Sequence, residues 1–593
     1  MLHRSLLPCA GLALVLFANA QAPAILWQNC LGGSGTENAQ TLIATSDGGY
    51  LALSMTTSTN GDVTGSHGDS DIWLTKLDDS GVLQWQRALG GSLNDTPLEV
   101  VENDMNEYIV LGLTLSNDGD VSGNHGGVDL WIVKLDATGN LLWQRCLGGS
   151  GNEYLESIWT GELVPHTLLP TPDGGCIVSG STSSSDGDVV GSHGGIFDIW
   201  MAKVDGAGML EWQLPIGGTD REEPFVLIAC ADGGYIIAGF TSSNDGDVVG
   251  WFPAYDNGPL ADAFVVKVDA GGTLEWSRTL GGDSPEMVQC VRQTADGGFI
   301  LASYASTETG EVSNIVGGGD WWLVKLDATG DMEWDNALGG PANEGTCLGV
   351  EQTPDGGYMA FGVTRSADGG DVQGYHGTLW DWEGDYWVVK TDPMGEVEWQ
   401  HCLGGTALED LHTYRITPDG GCIVGGWAWS ADGDVTGNHG SSDAWVVKLD
   451  DVGSIQWKRA LGGSGYEGAR SIVPSNDGGF VVLSTTASSN GNVSGAHGDT
   501  DTWCVKLAAI GVGVHETTTI DFAISPVPAT STVQVTTAAA GSIFLRDALG
   551  REVLHASMSG TTHMLDVADL PRGMYTITLR GKTGGRTHCL VLE

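Results

Sequence analysis

Two loops of this chain bring several oxygen-bearing side chains together within nine residues. They read Asp118-Gly-Asp-Val-Ser-Gly-Asn-His-Gly126 and Asp432-Gly-Asp-Val-Thr-Gly-Asn-His-Gly440. Hard oxygen ligands on a short turn suit Ca²⁺, so calcium is one interpretation. An ordinary Asx-type turn has the same composition, and the copy at Asn490-Gly-Asn492 lacks carboxylates. The candidate calcium ligands are Asp118, Asp120, Asp432 and Asp434.

Catalytic motifs are absent from the sequence. It contains no nucleophile elbow, His-Glu-x-x-His, phosphate loop or Cys-x-x-Cys. The loop histidine occurs no more than once in any repeat, which keeps the imidazoles apart and argues against a zinc site. A carboxylate pair suited to glycoside hydrolysis could assemble in many places, but no pattern selects one. The net charge of −50 excludes nucleic acid as a partner and favours solubility and divalent cations.

Aromatic side chains in three long insertions are the best candidates for ligand binding. They stand beside Asp and Asn, a combination that suits stacking on sugar rings or contact with a protein. The alternative is that the insertions only pack on each other. The candidates are Trp159, Trp251, Tyr255, Tyr375, Trp380 and Trp382.

Cysteines recur at two fixed repeat positions. Cys146 and Cys402 occupy one position, and Cys176 and Cys422 occupy another in the unit that follows. In an oxidising compartment this predicts the disulfides Cys146–Cys176 and Cys402–Cys422. The alternative is four small buried thiols.

All these residues are positioned by one unit that is written eight times. Its pattern is D-x-W-x-x-K-L-D-x-x-G-x-x-x-W-x-x-x-L-G-G, and it is clearest from Asp71 to Gly91. Repeats of 58 to 69 residues with tight Gly turns are typical of a propeller or a solenoid. Each unit divides into four strands, a to d, with short turns between a and b and between c and d. The b–c and d–a connections, which carry the insertions, then emerge on the opposite face.

The last unit lacks strand d, and Ile25–Gly33 supplies the missing sequence. This predicts an all-β, eight-bladed propeller over residues 21–512, closed by the N-terminal strand. The Asp two residues before the strand-c Trp, as in Asp71, is expected to be a buried carboxylate that accepts backbone N–H bonds. The strand-c Lys, as in Lys76, is expected to pair with a carboxylate in each blade.

The two ends of the chain differ from the repeat. Residues 1–20 read as a signal peptide, with Arg4, an apolar run and Ala18-Asn-Ala20; no transmembrane segment is expected. After a linker at 513–520, residues 521–593 contain Ser525-Pro-Val-Pro-Ala529, Asp547-Ala-Leu-Gly-Arg-Glu-Val553 and Leu570-Pro-Arg-Gly-Met-Tyr575. This segment resembles the type A C-terminal sorting domain of the type IX secretion system of Bacteroidetes, which has a small β-sandwich fold. The resemblance implies export through the periplasm and the outer membrane by that machinery, and a secreted or surface-attached product.

The repeat itself resembles the quinoprotein-like propeller repeat, through Asp136-Ala-Thr-Gly139 with Trp143 and through Asp327, Gly330 and Trp334. Similar repeats also form scaffolds without catalytic activity. The quinone-dependent members need a calcium-binding carboxylate set and often an adjacent Cys-Cys pair, and no such pair exists here. No cofactor other than calcium is therefore indicated.

The sequence favours a secreted or cell-surface propeller that binds an extracellular glycan or protein without catalysis. One alternative is an extracellular hydrolase or lyase on the same face, built from Asp256, His376, Asp381 and Glu383. Another is a purely structural surface or adhesion component.

Overall fold

The computed structural model describes residues 22–154, 166–250, 261–377 and 384–509, and most of 522–592. The regular elements of these residues are all β-strands. The chain divides into two compact units, Met1–Ala509 and Ile510–Glu593. No helix in the part of the chain described is long and apolar enough to cross a membrane.

The first unit contains eight antiparallel sheets among its described residues, here numbered I to VIII in chain order. Each of sheets I to VII runs a-b-c-d along the chain. Sheet I is β2 (Glu37–Ala44), β3 (Tyr50–Thr56), β4 (Asp71–Leu77) and β5 (Leu83–Leu89). Sheet II is β6 (Asp95–Glu102), β7 (Tyr108–Thr114), β8 (Asp129–Leu135) and β9 (Leu141–Leu147). Sheet III has a divided first strand: β10 (Glu153–Tyr154), β11 (Leu168–Pro170), β12 (Cys176–Thr182), β13 (Asp198–Val204) and β14 (Leu210–Ile216).

The next four sheets follow the same pattern. Sheet IV is β15 (Glu222–Ala229), β16 (Tyr235–Thr241), β17 (Asp262–Val268) and β18 (Leu274–Leu280). Sheet V is β19 (Cys290–Gln293), β20 (Phe299–Ala305), β21 (Asp320–Leu326) and β22 (Met332–Leu338). Sheet VI is β23 (Cys347–Gln352), β24 (Tyr358–Thr364), β25 (Asp385–Thr391) and β26 (Val397–Leu403). Sheet VII is β27 (Glu409–Ile416), β28 (Cys422–Ala428), β29 (Asp443–Leu449) and β30 (Ile455–Leu461).

Sheet VIII combines strands from opposite ends of the unit. Its sequence supplies β31 (Glu467–Pro474), β32 (Phe480–Thr486) and β33 (Asp501–Leu507). The fourth place is taken by β1 (Ile25–Leu31), which pairs antiparallel with β33, so that Ile25 lies opposite Leu507. The N-terminal strand therefore completes this sheet.

Consecutive sheets face each other across hydrophobic layers. In one such layer, Leu53 and Leu74 of sheet I pack with Val110 and Trp131 of sheet II. The first strands of consecutive sheets also contact one another, and β31 contacts β2 of sheet I. Repeated four-stranded sheets stacked in this way form a propeller-like arrangement.

The turn between strands c and d explains two fixed residues of the repeat. In sheet II, Asp136 Oδ1 accepts the N–H groups of Thr138 and Asn140, which closes the turn. Gly139 has φ of +80° and lies under the ring of Trp85 from sheet I, so a side chain there would be strained and would clash. Trp85 Nε1 donates to Ala137 O at 3.2 Å. Each strand-d Trp of this kind docks one sheet on the next.

The second unit forms two sheets. One has the order β34 (Phe522–Ser525), β35 (Thr532–Thr537) and β38 (Thr562–Asp566). The other has the order β37 (Glu552–Met558), β36 (Gly541–Arg546), β39 (Gly573–Gly581) and β40 (Gly584–Leu592). Side chains of both sheets, including Val533, Leu545, Leu565 and Ile577, share one hydrophobic core.

Candidate functional sites

The antiparallel order gives each sheet of the first unit two different ends. The loop end carries the b–c and d–a connections, and the turn end carries the a–b and c–d turns. Sheet I shows this directly, because Thr56 pairs with Asp71 at the loop end and Tyr50 pairs with Leu77 at the turn end. The candidate residues of the sequence divide between these two ends.

The first Asp of each candidate calcium loop caps backbone at the loop end. Asp118 Oδ1 accepts the N–H of Ser92 at 2.7 Å, and Asp432 Oδ1 accepts the N–H of Thr406 at 2.8 Å. These hydrogen bonds lower the pKa of both carboxyls. Each of these hydrogen bonds joins a b–c loop to the d–a connection that leads into the same sheet.

The second Asp of each loop lies beside cations of the protein. Asp120 is 3.7 Å from Arg87 Nη2 and 3.8 Å from His67 Nδ1. Asp434 is 2.8 Å from Lys458 Nζ and 3.7 Å from His376 Nε2. No group of three or more His, Cys, Asp or Glu side chains among the described residues is arranged to hold a metal ion. Calcium at these loops stays a prediction.

The expected role of the strand-c Asp is confirmed. Asp71 Oδ2 accepts the N–H of His67 at 2.6 Å, and equivalent backbone bonds are described in seven of the eight sheets. The loop histidine lies against the same carboxylate, as in the 2.8 Å contact between His125 Nδ1 and Asp129. These residues build the loop end of the scaffold.

A second buried acid lies at the loop end, and it was not predicted from the sequence. It begins strand a of the following sheet and accepts the N–H of the second Gly of Leu/Ile-Gly-Gly, as in Gly91 N to Asp95 Oδ2 at 2.7 Å. The signal was present, because an acid stands four residues after that Gly in every unit. The eight residues are Glu37, Asp95, Glu153, Glu222, Glu286, Glu344, Glu409 and Glu467.

The two acids meet between consecutive sheets as a buried carboxyl pair. Asp71 Oδ1 and Asp95 Oδ2 both lie beside Gly90, where a Cβ atom would overlap Asp71 and stand 2.7 Å from Asp95. In the corresponding pair between sheets V and VI, Asp320 Oδ1 and Glu344 Oε2 both lack a hydrogen-bond donor among the described residues. One shared proton would satisfy both oxygens. Burial raises the pKa of Asp198 to about 6 and the pKa of Glu286 and Glu409 to about 7.

The strand-c Lys is paired at the turn end, as expected. Lys76 is 2.9 Å from Asp47, and Lys390 lies 3.1 Å from Asp355 and 2.9 Å from Glu398. The remaining lysines, Lys134, Lys203, Lys267, Lys325, Lys448 and Lys506, each have a carboxylate within 4.0 Å. The Lys is a scaffold residue in every sheet.

The expected disulfides are not formed in the structure, where these four described cysteines have free, buried thiols. Cys146 packs in the layer between sheets I and II, whereas Cys176 packs in the layer between sheets II and III. Cys402 and Cys422 are separated in the same way by sheet VI. Each predicted pair is thus divided by a whole sheet.

Most of the aromatic candidates lie outside the described residues. These are Trp159, Trp251, Tyr255, Trp380 and Trp382, together with Asp256, Asp381 and Glu383. Tyr375 is half-buried and packs beside the layer between sheets V and VI. His376 binds Asp385 through Nδ1 at 2.8 Å, and this bond raises its pKa. The insertions themselves remain assigned to the loop end by sequence alone.

A cavity of about 310 Å³ lies where the first strands of the sheets converge. Its lining includes Gln40, Phe225, Gln289, His412, Arg415 and Arg470, from five different sheets. Gln40, Phe225, His412 and Arg470 stand at β-bulges of their strands. Bulges redirect a side chain out of the regular pleat. No sequence motif pointed to this cavity, because its residues are far apart in the chain and differ from unit to unit.

The basic residues of the cavity are held in different ways. Arg292 Nε donates to Glu351 at 2.8 Å. Arg470 Nη1 donates to His412 Nδ1 at 3.3 Å, and its guanidinium carbon lies 5.8 Å from the ring centre of Trp427. Because Arg470 can only donate, His412 Nδ1 carries no proton and its Nε2–H donates to Asp410 at 3.2 Å. Burial lowers the pKa of Arg470, although a guanidinium stays charged in proteins.

Comparison with known proteins identifies the second unit. Residues 523–593 match the family model described as the secretion system C-terminal sorting domain. The sorting domain expected from the sequence is therefore confirmed. It implies engagement of type IX secretion machinery and delivery to the cell surface or the extracellular space.

Similarity elsewhere in the chain is more distant. The regulatory protein FlaEY of Caulobacter vibrioides is 22% identical over 433 residues, which are 66% of this chain and 43% of that protein. The chain thus spans less than half the length of this curated relative. The WD40 domain of Neurospora crassa Pan2 is 10% identical, with a TM-score of 0.35 over 69% of this chain and 89% of that one. PorZ, a type IX secretion component of Porphyromonas gingivalis, is 10% identical, with a TM-score of 0.20 over 95% of this chain and 100% of that one. Similarity at these scores carries no argument about function.

Proposed function

We propose that this chain is an exported propeller of eight blades that binds an extracellular glycan or protein ligand without catalysing a reaction. The pairing of β1 with β33 and the contact of β31 with β2 support a closed ring. In this proposal a signal peptide covers residues 1–20, the propeller 21–512, a linker 513–520 and the sorting domain 521–593. The matched sorting domain supports delivery outside the cell.

The observation that carries the proposal is the rigidity of the loop ends. Each described b–c loop is tied down by capping bonds such as Ser92 N to Asp118, and by the buried carboxyl pairs beneath. Insertions that continue such loops are presented on a fixed frame, which is where binding residues concentrate. The aromatic insertions at 251–260 and 378–383 interrupt two of these loops.

Catalysis on this face is less well supported. The only described member of the candidate acid–base set is His376, and its bond to Asp385 is repeated by His125 with Asp129 and by His439 with Asp443. A contact found in several sheets is part of the scaffold. Binding is therefore the better-supported function.

A glycan array tests the proposal. The mature chain is compared with a Trp251→Ala/Trp380→Ala/Trp382→Ala variant and with Tyr466→Ala, which removes an exposed aromatic from a loop end without an insertion. We expect binding by the mature chain and by Tyr466→Ala, and loss in the triple variant. No glycan bound by the mature chain would leave a protein ligand, to be sought by crosslinking at the same tryptophans. Unchanged binding in the triple variant would refute the assignment to the insertions, and absence of any partner would favour a structural surface component.

A further inference from the structure

We propose that the cavity at the first strands is a binding site for an acidic sugar, with its carboxylate on Arg415 and Arg470 and a hydroxyl on Gln289. This site is separate from the loop-end insertions, and it stands whether or not they bind a ligand.

The charge of the cavity is opposite to that of the chain. The protein has 75 acidic and 25 basic residues, yet three arginines and a single glutamate line this cavity. Glu351 neutralises Arg292. Within the part of the chain that is described, no carboxylate oxygen lies within 4.0 Å of the guanidinium of Arg415 or Arg470. Asp410 acts on Arg470 only from a longer distance, so both guanidinium groups remain available for direct contact with a ligand.

Arg415 and Arg470 differ from most cations of this molecule. Every strand-c Lys has a carboxylate partner, and Arg145 and Arg278 at the outer strands pair with Asp188 and Asp331 at 3.0 and 2.9 Å. Arg365 and Arg459 also have no carboxylate partner among the described residues, but Arg415 and Arg470 line a cavity. A desolvated cation is costly unless an anion or strong acceptor meets it.

The guanidinium groups of Arg415 and Arg470 are held in position by contacts that use only some of their N–H donors. Arg470 is redirected by its β-bulge, stacked on Trp427 and bonded to His412 through Nη1 only. Arg415 is exposed to the cavity and uses Nε, which donates to Ile472 O at 3.4 Å. Among the described residues its Nη1 and Nη2 have no partner, and together they form a planar fork that matches the two oxygens of a carboxylate.

An anion that also carries hydroxyl groups fits the cavity better than an anion that has none. Gln289 lines the cavity, and its side-chain oxygen Oε1 is buried beneath the cavity surface with no hydrogen-bond donor among the described residues, so a small turn of the amide would present it to a ligand. A hydroxyl group can donate to this oxygen, which neither inorganic sulfate nor acetate can do. The volume of about 310 Å³ lies at the lower end of the range for small-molecule sites. A uronic acid combines the carboxylate, the hydroxyls and the size.

The test is calorimetric titration of the full mature chain at constant ionic strength. Glucuronate, glucose and sodium sulfate are the titrants. We expect glucuronate to bind, sulfate to bind more weakly and glucose not to bind. Arg415→Gln should weaken glucuronate about ten- to hundredfold, as for loss of a charge-assisted contact. Arg415→Lys should recover part of the affinity, because it restores the charge without the fork.

Arg87→Gln is the matched control, since it removes one positive charge from an outer strand beside Asp120. It should bind glucuronate like the parent, and so should the Trp251/Trp380/Trp382 variant. Absence of glucuronate binding, tighter binding of sulfate than of glucuronate, or equal losses in Arg87→Gln and Arg415→Gln would each overturn the proposal. Because Arg415 is exposed, its substitution is expected to leave the thermal midpoint of unfolding unchanged, which separates lost binding from lost folding.

Discussion

The two ends of each sheet in the first unit both bury a polar layer between consecutive sheets, but with opposite charges. At the loop end, carboxyls such as Asp71 and Asp95 are buried together and receive backbone N–H bonds. At the turn end, a buried ammonium such as Lys390 reaches outward to the half-exposed carboxylates Asp355 and Glu398. The loop end is thus stabilised by backbone N–H bonds to buried carboxyls, whereas the turn end is stabilised by ion pairs at the protein surface.

The pKa values of the acids reflect this contrast. Burial raises the pKa of Glu286 to about 7 at a loop end. At a turn end, the 2.5 Å hydrogen bond from Thr353, together with Lys390 and Gly357, lowers the pKa of Asp355 to about 2. The loop end should therefore be the less stable of the two in alkaline solution, and the turn end in acid.

The largest effect is expected from Gly90→Ala, which places a methyl group between Asp71 and Asp95. Overpacking of a closed polar site should lower the free energy of unfolding by about 3 kcal/mol. The control is Gly233→Ala at a turn end, where φ is +88° and no atom lies within 4 Å of the new Cβ. Its cost should be about 1 kcal/mol, from backbone strain alone. Denaturant unfolding of both variants measures the difference, and equal losses would contradict the contrast between the ends.

A smaller effect is expected from pH at the loop end. The carboxyl of Glu286 binds its proton more tightly in the folded chain than at its ordinary pKa of 4.5. The stabilisation is thus complete below about pH 4.5 and is lost as the pH rises through about 7, a change of about 3 kcal/mol. In Glu286→Gln the amide oxygen can still accept the N–H of Gly282, and the amide N–H can donate to the Ser284 hydroxyl, which now donates to Glu286. Because glutamine does not titrate, the substitution should flatten this part of the stability curve. Thermal midpoints of both proteins from pH 5 to 8 provide the measurement; parallel curves would refute the assignment.

The smallest effect is expected in acid at the turn end. The stabilisation from Asp355 is present above its ordinary pKa of 3.8 and is lost as the pH falls through about 2. Because this carboxylate is 60% exposed, solvent screening limits its contribution to about 1 kcal/mol or less. Asp355→Asn should lower the thermal midpoint at pH 5 and have no effect near pH 2. A loss that is equal at both values would assign the effect to packing instead.

The repeat and its strands were predictable because their determinants are local. The Asp136-to-Gly139 turn closes within four residues, and the Trp85 docking position repeats in every unit. The roles of Asp71 and Lys76 followed from the same regularity. The partner of Asp71 also carried a signal, an acid four residues after Gly91, which becomes meaningful only once consecutive sheets are seen to meet there.

The disulfides and the cavity could not be predicted in this way. Cys146 and Cys176 are close in the chain, but the face of the sheet on which each side chain falls decides whether they meet. His412 and Arg470 are 58 residues apart and meet only because two bulges turn them inward. The spacing of a repeat shows neither where a β-bulge occurs nor on which face of the sheet a given side chain lies.

The pairing of β1 with β33 also determines when sheet VIII can be completed during synthesis of the chain. Ile25 is made early in synthesis, and its partner Leu507 is made more than 450 residues later. Until β33 exists, β1 has no place in any sheet, and contacts between such distant segments are slow to form. A chain that stops before Asp501 leaves β32 with an open edge, the kind of edge on which proteins aggregate. Sheet VIII can therefore be completed only by a chain that has been made as far as Leu507, which is the end of the first unit's last strand.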